Sequence, residues 1–392
     1  MKKSSTLLCF VINSMSAVCI TIIAPTLLQL SKDFSLGLSE MGILLTCQFV
    51  GFTVFVVASG ITADHTGKKN VVSGALIMLA VSALVLSFAP NYPLLCAALF
   101  FLGGGMGILE TMSNALLADI DPGNSVFMIN FLQVFFGLGA ILGPILVGTA
   151  YSRNISWRLV YQVISVITAA IALWFVINKL PPLPKAEKIH LKDVKALMSD
   201  VRFLMICFCM LSYTGAESSG WGWLSTYTET NLGFSVFESS AAVAVFWIAV
   251  TVSRLIISLS IKKLNLVKLI MSLAVSAGIV CAAMGIMRRG IFVWIVIVLL
   301  GVACSSQWGM ILSYGTERYR RNSGTVFAVL LASGGIGMSI VPYLMGFVGD
   351  RLGMRVSLAI PALFFMSIAF TFIAIVRLEN RGTVLSGRDV FK

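Results

Sequence analysis

The sequence predicts an all-α polytopic membrane protein, with twelve transmembrane helices in two pseudo-symmetric six-helix bundles. Three observations predict it. Of the 392 residues, 58% are hydrophobic and 11% charged, against about 45–50% and about 25% in soluble domains; the mean hydropathy is +0.97. Apolar runs long enough to span a bilayer, roughly 20 residues each, recur twelve times. Gly139, Pro144 and Gly148 recur as Gly337, Pro342 and Gly346, each 198 residues later, as a duplicated six-helix unit requires.

The first bundle, residues 1–178, holds runs at Ser5–Leu30, Met41–Ala63, Val71–Ala89, Leu94–Leu117, Ser125–Tyr151 and Trp157–Asn178. The second, residues 201–378, holds Val201–Thr226, Val236–Ile261, Val267–Met287, Ile291–Gly315, Thr325–Val348 and Val356–Val376. Residues 179–200 form a linker in which Pro181, Pro182 and Pro184 stop the sixth helix and four lysines mark a cytoplasmic face, its second half a short amphipathic surface helix. Residues 379–392 form a cytoplasmic tail. Met1-Lys2-Lys3 and the apolar stretch behind it mimic a signal peptide, but the run outlasts a signal core and reads as an uncleaved first helix.

Charge orients the chain. With both termini inside, one face carries 20 lysines and arginines and the other 7, with Arg254 within a span. That bias places both ends in the cytoplasm. The same bias accounts for the net charge of +12 without a nucleic-acid partner. All eight cysteines lie inside apolar runs and read as small buried hydrophobes. Neither histidine lies in a span, and no reactive set suits an integral-membrane enzyme. A channel would need a filter or charged pore ring, which is absent. A transporter of small solutes remains, with a nutrient sensor on the same scaffold as a variant reading.

Ionisable residues at membrane depth mark function. Glu110 lies nine residues before Asp119, roughly 13 Å deep at ~1.5 Å per residue. Asn114 is one turn away on the same face, and Asn130 and Gln133 lie at similar depth on the next span. These four polar groups form a candidate hydroxyl-binding surface. Glu217, Trp221 and Trp223 fit sugar binding, with a carboxyl for hydroxyls and rings for C–H faces; they equally fit an interfacial tryptophan belt. Gln307 and Trp308 lie in span ten, where the 198-residue offset carries Glu110 onto Trp308. Arg254 fits either a snorkelling side chain or an inner-gate ion pair.

Gly60, Asp64, Gly67, Lys68 and Lys69 punctuate GITADHTGKK between spans two and three. Gly60 allows close helix approach, Gly67 a tight turn, and Asp64 a capping or pairing carboxylate. The string resembles the G-x-x-x-D-[RK]-x-G-[RK]-[RK] signature of the major facilitator superfamily, with His65 in place of a basic residue. That resemblance implies a gate holding the cytoplasmic side closed. A second copy, Gly346, Asp350, Arg351, Gly353 and Arg355, falls on the opposite side and reads as a structural staple.

GILETMSN at 107–114 is similar to the G-x-L-E-T-x-x-N segment of the sugar–proton symporter branch that includes fucose permease. Asn130, Gln133 and Phe135 resemble its N-x-x-Q-x-F, Tyr213, Gly215 and Glu217 its Y-x-G-x-E, and Trp247 and Arg254 its W-x-x-x-x-x-G-R, with Ser253 for the glycine. The first span has no acidic residue where the fucose member has one. The resemblance implies a monomeric transporter of a monosaccharide or related polyhydroxylated solute. Proton symport with Glu110 as the titrating group is the expected mode, driven by the transmembrane proton gradient with no cofactor. Proton-driven efflux of amphipathic drugs or metabolites is the alternative, since eighteen methionines and twenty-six phenylalanines could line an adaptable cavity.

Overall fold

A computed structural model describes residues 2–120, 125–178, 191–260, 265–319 and 323–388. The first span is two helices, α1 (Lys2–Thr21) and α2 (Ile23–Phe34). Spans two to six are α3 (Leu38–Thr66), α4 (Lys68–Ser87), α5 (Tyr92–Ile120), α6 (Ser125–Ser152) and α7 (Trp157–Ile177). The amphipathic linker helix is α8 (Leu191–Met198). Span seven is again divided, into α9 (Val201–Gly222) and α10 (Leu224–Leu232); α11 (Val236–Ser260) and α12 (Leu266–Ile286) follow. Span ten is α13 (Ile291–Cys304) and α14 (Gln307–Arg318), span eleven α15 (Ser323–Leu352), and span twelve α16 (Met354–Ser357) with α17 (Ala359–Arg388). The last helix therefore continues past residue 378, where the sequence reading begins a tail.

Eleven helical segments among the described residues are long and apolar enough to cross a bilayer. The seventh expected span, Val201–Thr226, is not among them; it is present as α9 and α10, divided at Trp223. Its polar residues, Tyr213, Thr214, Glu217, Ser218 and Ser219, are mostly buried against other helices, where hydrogen bonds replace water.

The repeated glycines explain how the bundles assemble. A Cβ on Gly139 would sit 2.2 Å from the Ser14 carbonyl oxygen of α1, and one on Gly337 2.0 Å from the Leu211 carbonyl oxygen of α9. Both contacts lie inside their own bundle, and they are related by nearly the same offset as the glycines. A Cβ on Gly148 would meet Ser240 of α11 at 2.4 Å, and one on Gly346 the Leu38 carbonyl oxygen of α3 at 2.4 Å. Those two contacts cross between bundles. One spacing thus builds both the bundles and the joint between them, because only a hydrogen side chain lets backbones approach so closely.

The joint is sealed at one end. Among the described residues, every glycine that touches the opposite bundle lies between the membrane centre, at Gly137–Thr251 and Gly335–Thr53, and the end where α3 begins. The hydrogen bonds from Lys32 to Glu229, from Thr46 to the Ser339 carbonyl, and from the Leu38 and Ser39 amides to Asp350 lie in that same half. Toward the end that carries both termini the bundles part. Val54 and Val57 are about half exposed, and a Cβ on Gly60 would meet nothing within 4 Å.

Candidate substrate site

A cavity of about 410 Å³ lies between the bundles at the membrane centre. From the first bundle α5 contributes Glu110 and Asn114, and α6 contributes Gln133. From the second, α9 contributes Glu217 and Trp221, α11 contributes Trp247 and Arg254, and α14 contributes Trp308. Phe49, Phe52, Phe136 and Phe327 complete an aromatic wall. The polar residues thus stand on facing helices, with rings between them, as a site for a solute with hydroxyls and C–H faces requires.

The helix period decides which candidates arrive. Glu110 and Asn114 are one turn apart, and the Asn114 amide donates to the Glu110 carbonyl at 2.8 Å, leaving its side-chain oxygen for the cavity. Trp247, Thr251 and Arg254 occupy one face of α11, and the indole N–H of Trp247 is buried without an acceptor. The side chain of Asn130 lies outside the described residues.

Two expected residues do not line the cavity. Trp223 is two positions from Trp221, and two helical residues so spaced face different ways. It is fully buried, and its indole N–H donates to the Pro342 carbonyl at 3.1 Å. Gln307 turns back on the break in span ten, its amide donating to the Ala303 carbonyl at 2.8 Å, while its neighbour Trp308 takes the cavity face.

Arg254 stands on the cavity wall. Its Nε donates to the Ser305 carbonyl at 2.9 Å, and among the described residues no carboxylate is within ion-pair distance of it. The expected gate pair is therefore not formed in this conformation. Tyr213 and Trp247 entered the sequence reading only as motif resemblances with no place in the site; spacing gives them one, since Tyr213 is one turn before Glu217 and Trp247 shares a face with Arg254.

The loop residues also separate. Gly67 has φ +84° and its counterpart Gly353 has φ +84°, a backbone that favours glycine. Lys68 pairs with Asp119 of α5, and Lys69 donates to the carbonyls of Val176 and Asn178 at the end of α7. These contacts stay within one bundle. The Asp64 side chain lies outside the described residues. The second copy does cross: Asp350 accepts from the Leu38 and Ser39 amides at 2.8 and 2.7 Å.

The family model of the Major Facilitator Superfamily matches residues 6–342. The chain belongs to that superfamily. Its fold is accordingly that of membrane transporters. A "Protein TsgA homolog" of Buchnera aphidicola subsp. Baizongia pistaciae is 23% identical over 352 residues, covering 89% of each chain. The L-fucose-proton symporter of Escherichia coli K12 is 24% identical over 380 residues, covering 86% of this chain and 85% of its own. A solved bacterial homologue of the human lysosomal transporter Spinster, inward-facing and unoccupied, superposes with a TM-score of 0.81 at 13% identity. That match covers 96% of this chain and 97% of that one.

Proposed function

We propose that this superfamily member carries a monosaccharide or related polyhydroxylated solute by alternating access, in symport with protons, across a bacterial inner membrane. The observation that carries the reading is the facing of Glu110, Asn114 and Gln133 by Glu217, Trp221 and Trp308 across one cavity. Carboxyl and amide groups exchange hydrogen bonds with hydroxyls, and indole rings stack on the C–H faces of a pyranose. The likeness to the L-fucose-proton symporter of Escherichia coli supports the same solute class.

Lysine and arginine bias puts the termini in the cytoplasm, so the sealed end faces outward and the cavity opens inward. Glu110 is the coupling group on this reading: its cost at membrane depth as a free carboxylate falls when it takes a proton. Asp64, Gly67 and the two lysines sit where an inner gate would close, and Gly60 faces the gap that closure would fill.

The test is uptake of radiolabelled sugars into proteoliposomes, with and without an inward proton gradient. Gradient-stimulated accumulation of one sugar is expected. Glu110→Gln is expected to keep counterflow exchange and lose accumulation; unimpaired uphill uptake by that variant removes Glu110 from coupling. Failure of every sugar, with gradient-driven movement of amphipathic compounds instead, would favour efflux, for which the phenylalanine wall is suited.

A further inference from the structure

The hydroxyl of Tyr213 stands 2.6 Å from the Cys304 carbonyl oxygen and 2.6 Å from Oε1 of Glu217. A phenol has one proton to donate, and a backbone carbonyl can only accept. Both contacts are at the short end of the O–H···O range, so one proton shared between two acceptors does not account for the pair. A second proton must lie in one of the two contacts, and the only group that can supply it is the carboxyl of Glu217.

We propose that Glu217 is a second proton-holding group of the transport cycle, and that in this conformation it is a neutral acid donating to Tyr213, whose hydroxyl donates in turn to the Cys304 carbonyl. The inference rests on the symport reading above and adds a carrier that the assignment of coupling to Glu110 does not include.

The Cys304 carbonyl is available because span ten is broken. At the end of α13 and into the break before α14, three successive carbonyls each take a side-chain donor: Ala303 from Gln307, Cys304 from Tyr213 and Ser305 from Arg254. The break therefore ties the proton site to the guanidinium on the cavity wall. The titratable groups facing this region are Glu110 on α5, Arg254 on α11, Tyr213 on α9 and the buried thiol of Cys304 on α13; α3, α14 and α15 line the cavity with neutral side chains only, and α17 sets the ring of Phe365 against Tyr213. With Glu217 neutral, Glu110 and Arg254 balance. With both carboxyls ionised, the site carries one excess negative charge.

Release is a single proton transfer. The acid proton passes to water in the open cavity and the negative charge stays on Glu217. The Tyr213 hydroxyl then turns its proton to the carboxylate, the stronger acceptor. The Cys304 carbonyl loses its donor, so deprotonation is felt at the break that carries Trp308.

Infrared spectroscopy of the purified full-length protein in lipid nanodiscs at pH 7 tests this without any sugar. A protonated-carboxyl C=O band is expected in the wild type, lost in Glu217→Gln and kept in Glu110→Gln. Tyr213→Phe keeps the acid but removes its acceptor, and is expected to shift the band. No band sensitive to Glu217→Gln, or a band removed by Glu110→Gln alone, overturns the proposal. Should Glu217→Gln fail to fold, a spectrum left unshifted by Tyr213→Phe overturns it. Failure of sugar uptake would end the solute assignment and leave this band untouched.

Discussion

Asp350 is the side chain whose removal should most directly loosen the sealed end. Its two carboxylate oxygens accept from the Leu38 and Ser39 amides, the free N–H groups of the first turn of α3, across the gap between bundles. Such a cap contributes ~1 kcal/mol, with a range of roughly 0.5–2, and a carboxylate at a helix N-terminus adds about 0.3–1 kcal/mol. The site is solvent-exposed, which keeps both terms toward their lower ends. We take about 1 kcal/mol as the bias that Asp350 gives the sealed state, since the contact cannot survive separation of α3 from α15. Asp350→Ala should therefore shift the sealed-to-open ratio at this end by roughly fivefold. Asp350→Asn, which keeps one uncharged acceptor, should fall between. Spin labels on the first turn of α3 and the last turn of α15, read by pulsed electron resonance, would report the two populations. A change of less than about twofold in Asp350→Ala would refute the view that this loop latches the bundles, and would return it to a local turn.

Two further outcomes follow from contacts on either side. Gly137→Ala would place a Cβ 2.5 Å from Oγ1 and 2.8 Å from Cγ2 of Thr251, an overpacking that typically costs about 1–3 kcal/mol. Its melting temperature should fall, and adding Thr251→Ala should restore it, since only a Cβ at 3.3 Å would remain; no rescue would place the strain elsewhere. At the N-terminus of α9, burial pushes the Asp200 carboxyl up, but hydrogen bonds from the Tyr319 hydroxyl and the Arg202 amide outweigh it and leave it below the ordinary aspartate value. A depressed carboxyl stabilises above its unfolded value and loses that contribution as pH falls through the folded one. Amide exchange in the first turn of α9 should thus be unaffected near neutrality and accelerate below about pH 4, with Asp200→Asn abolishing the acid step; a step persisting in that variant would assign it to another group.

How much of the site was legible can be judged residue by residue. Glu110 announced itself because a carboxylate in an apolar run is costly and so rarely idle. Asn114 followed from the period of the helix, and Trp308 from the internal repeat. Trp223 and Gln307 did not follow. Trp223 has Trp221 two positions away and Gln307 has Trp308 beside it, each at a different helical angle, and local sequence does not say which angle meets the cavity. Arg254 was left between a snorkelling side chain and an inner-gate ion pair, because both readings look for its partner in water or in a carboxylate and neither in a freed backbone carbonyl. Its actual acceptor, the Ser305 carbonyl, exists only because span ten breaks between Cys304 and Gln307, opposite an unbroken α5.

The sequence by itself determined that this chain lives in a bilayer, that it has two related halves, and which family it joins. Those conclusions rest on composition, on hydropathy over whole spans and on glycine and proline spacing, all carried by the chain without reference to distant partners. Tertiary structure decided which end is sealed, which of two adjacent side chains faces the solute, and that the second loop motif joins the bundles while the first stays within one. Most of these rest on contacts between helices far apart in the chain, and such contacts are set by how two surfaces meet, not by what either stretch of sequence prefers alone.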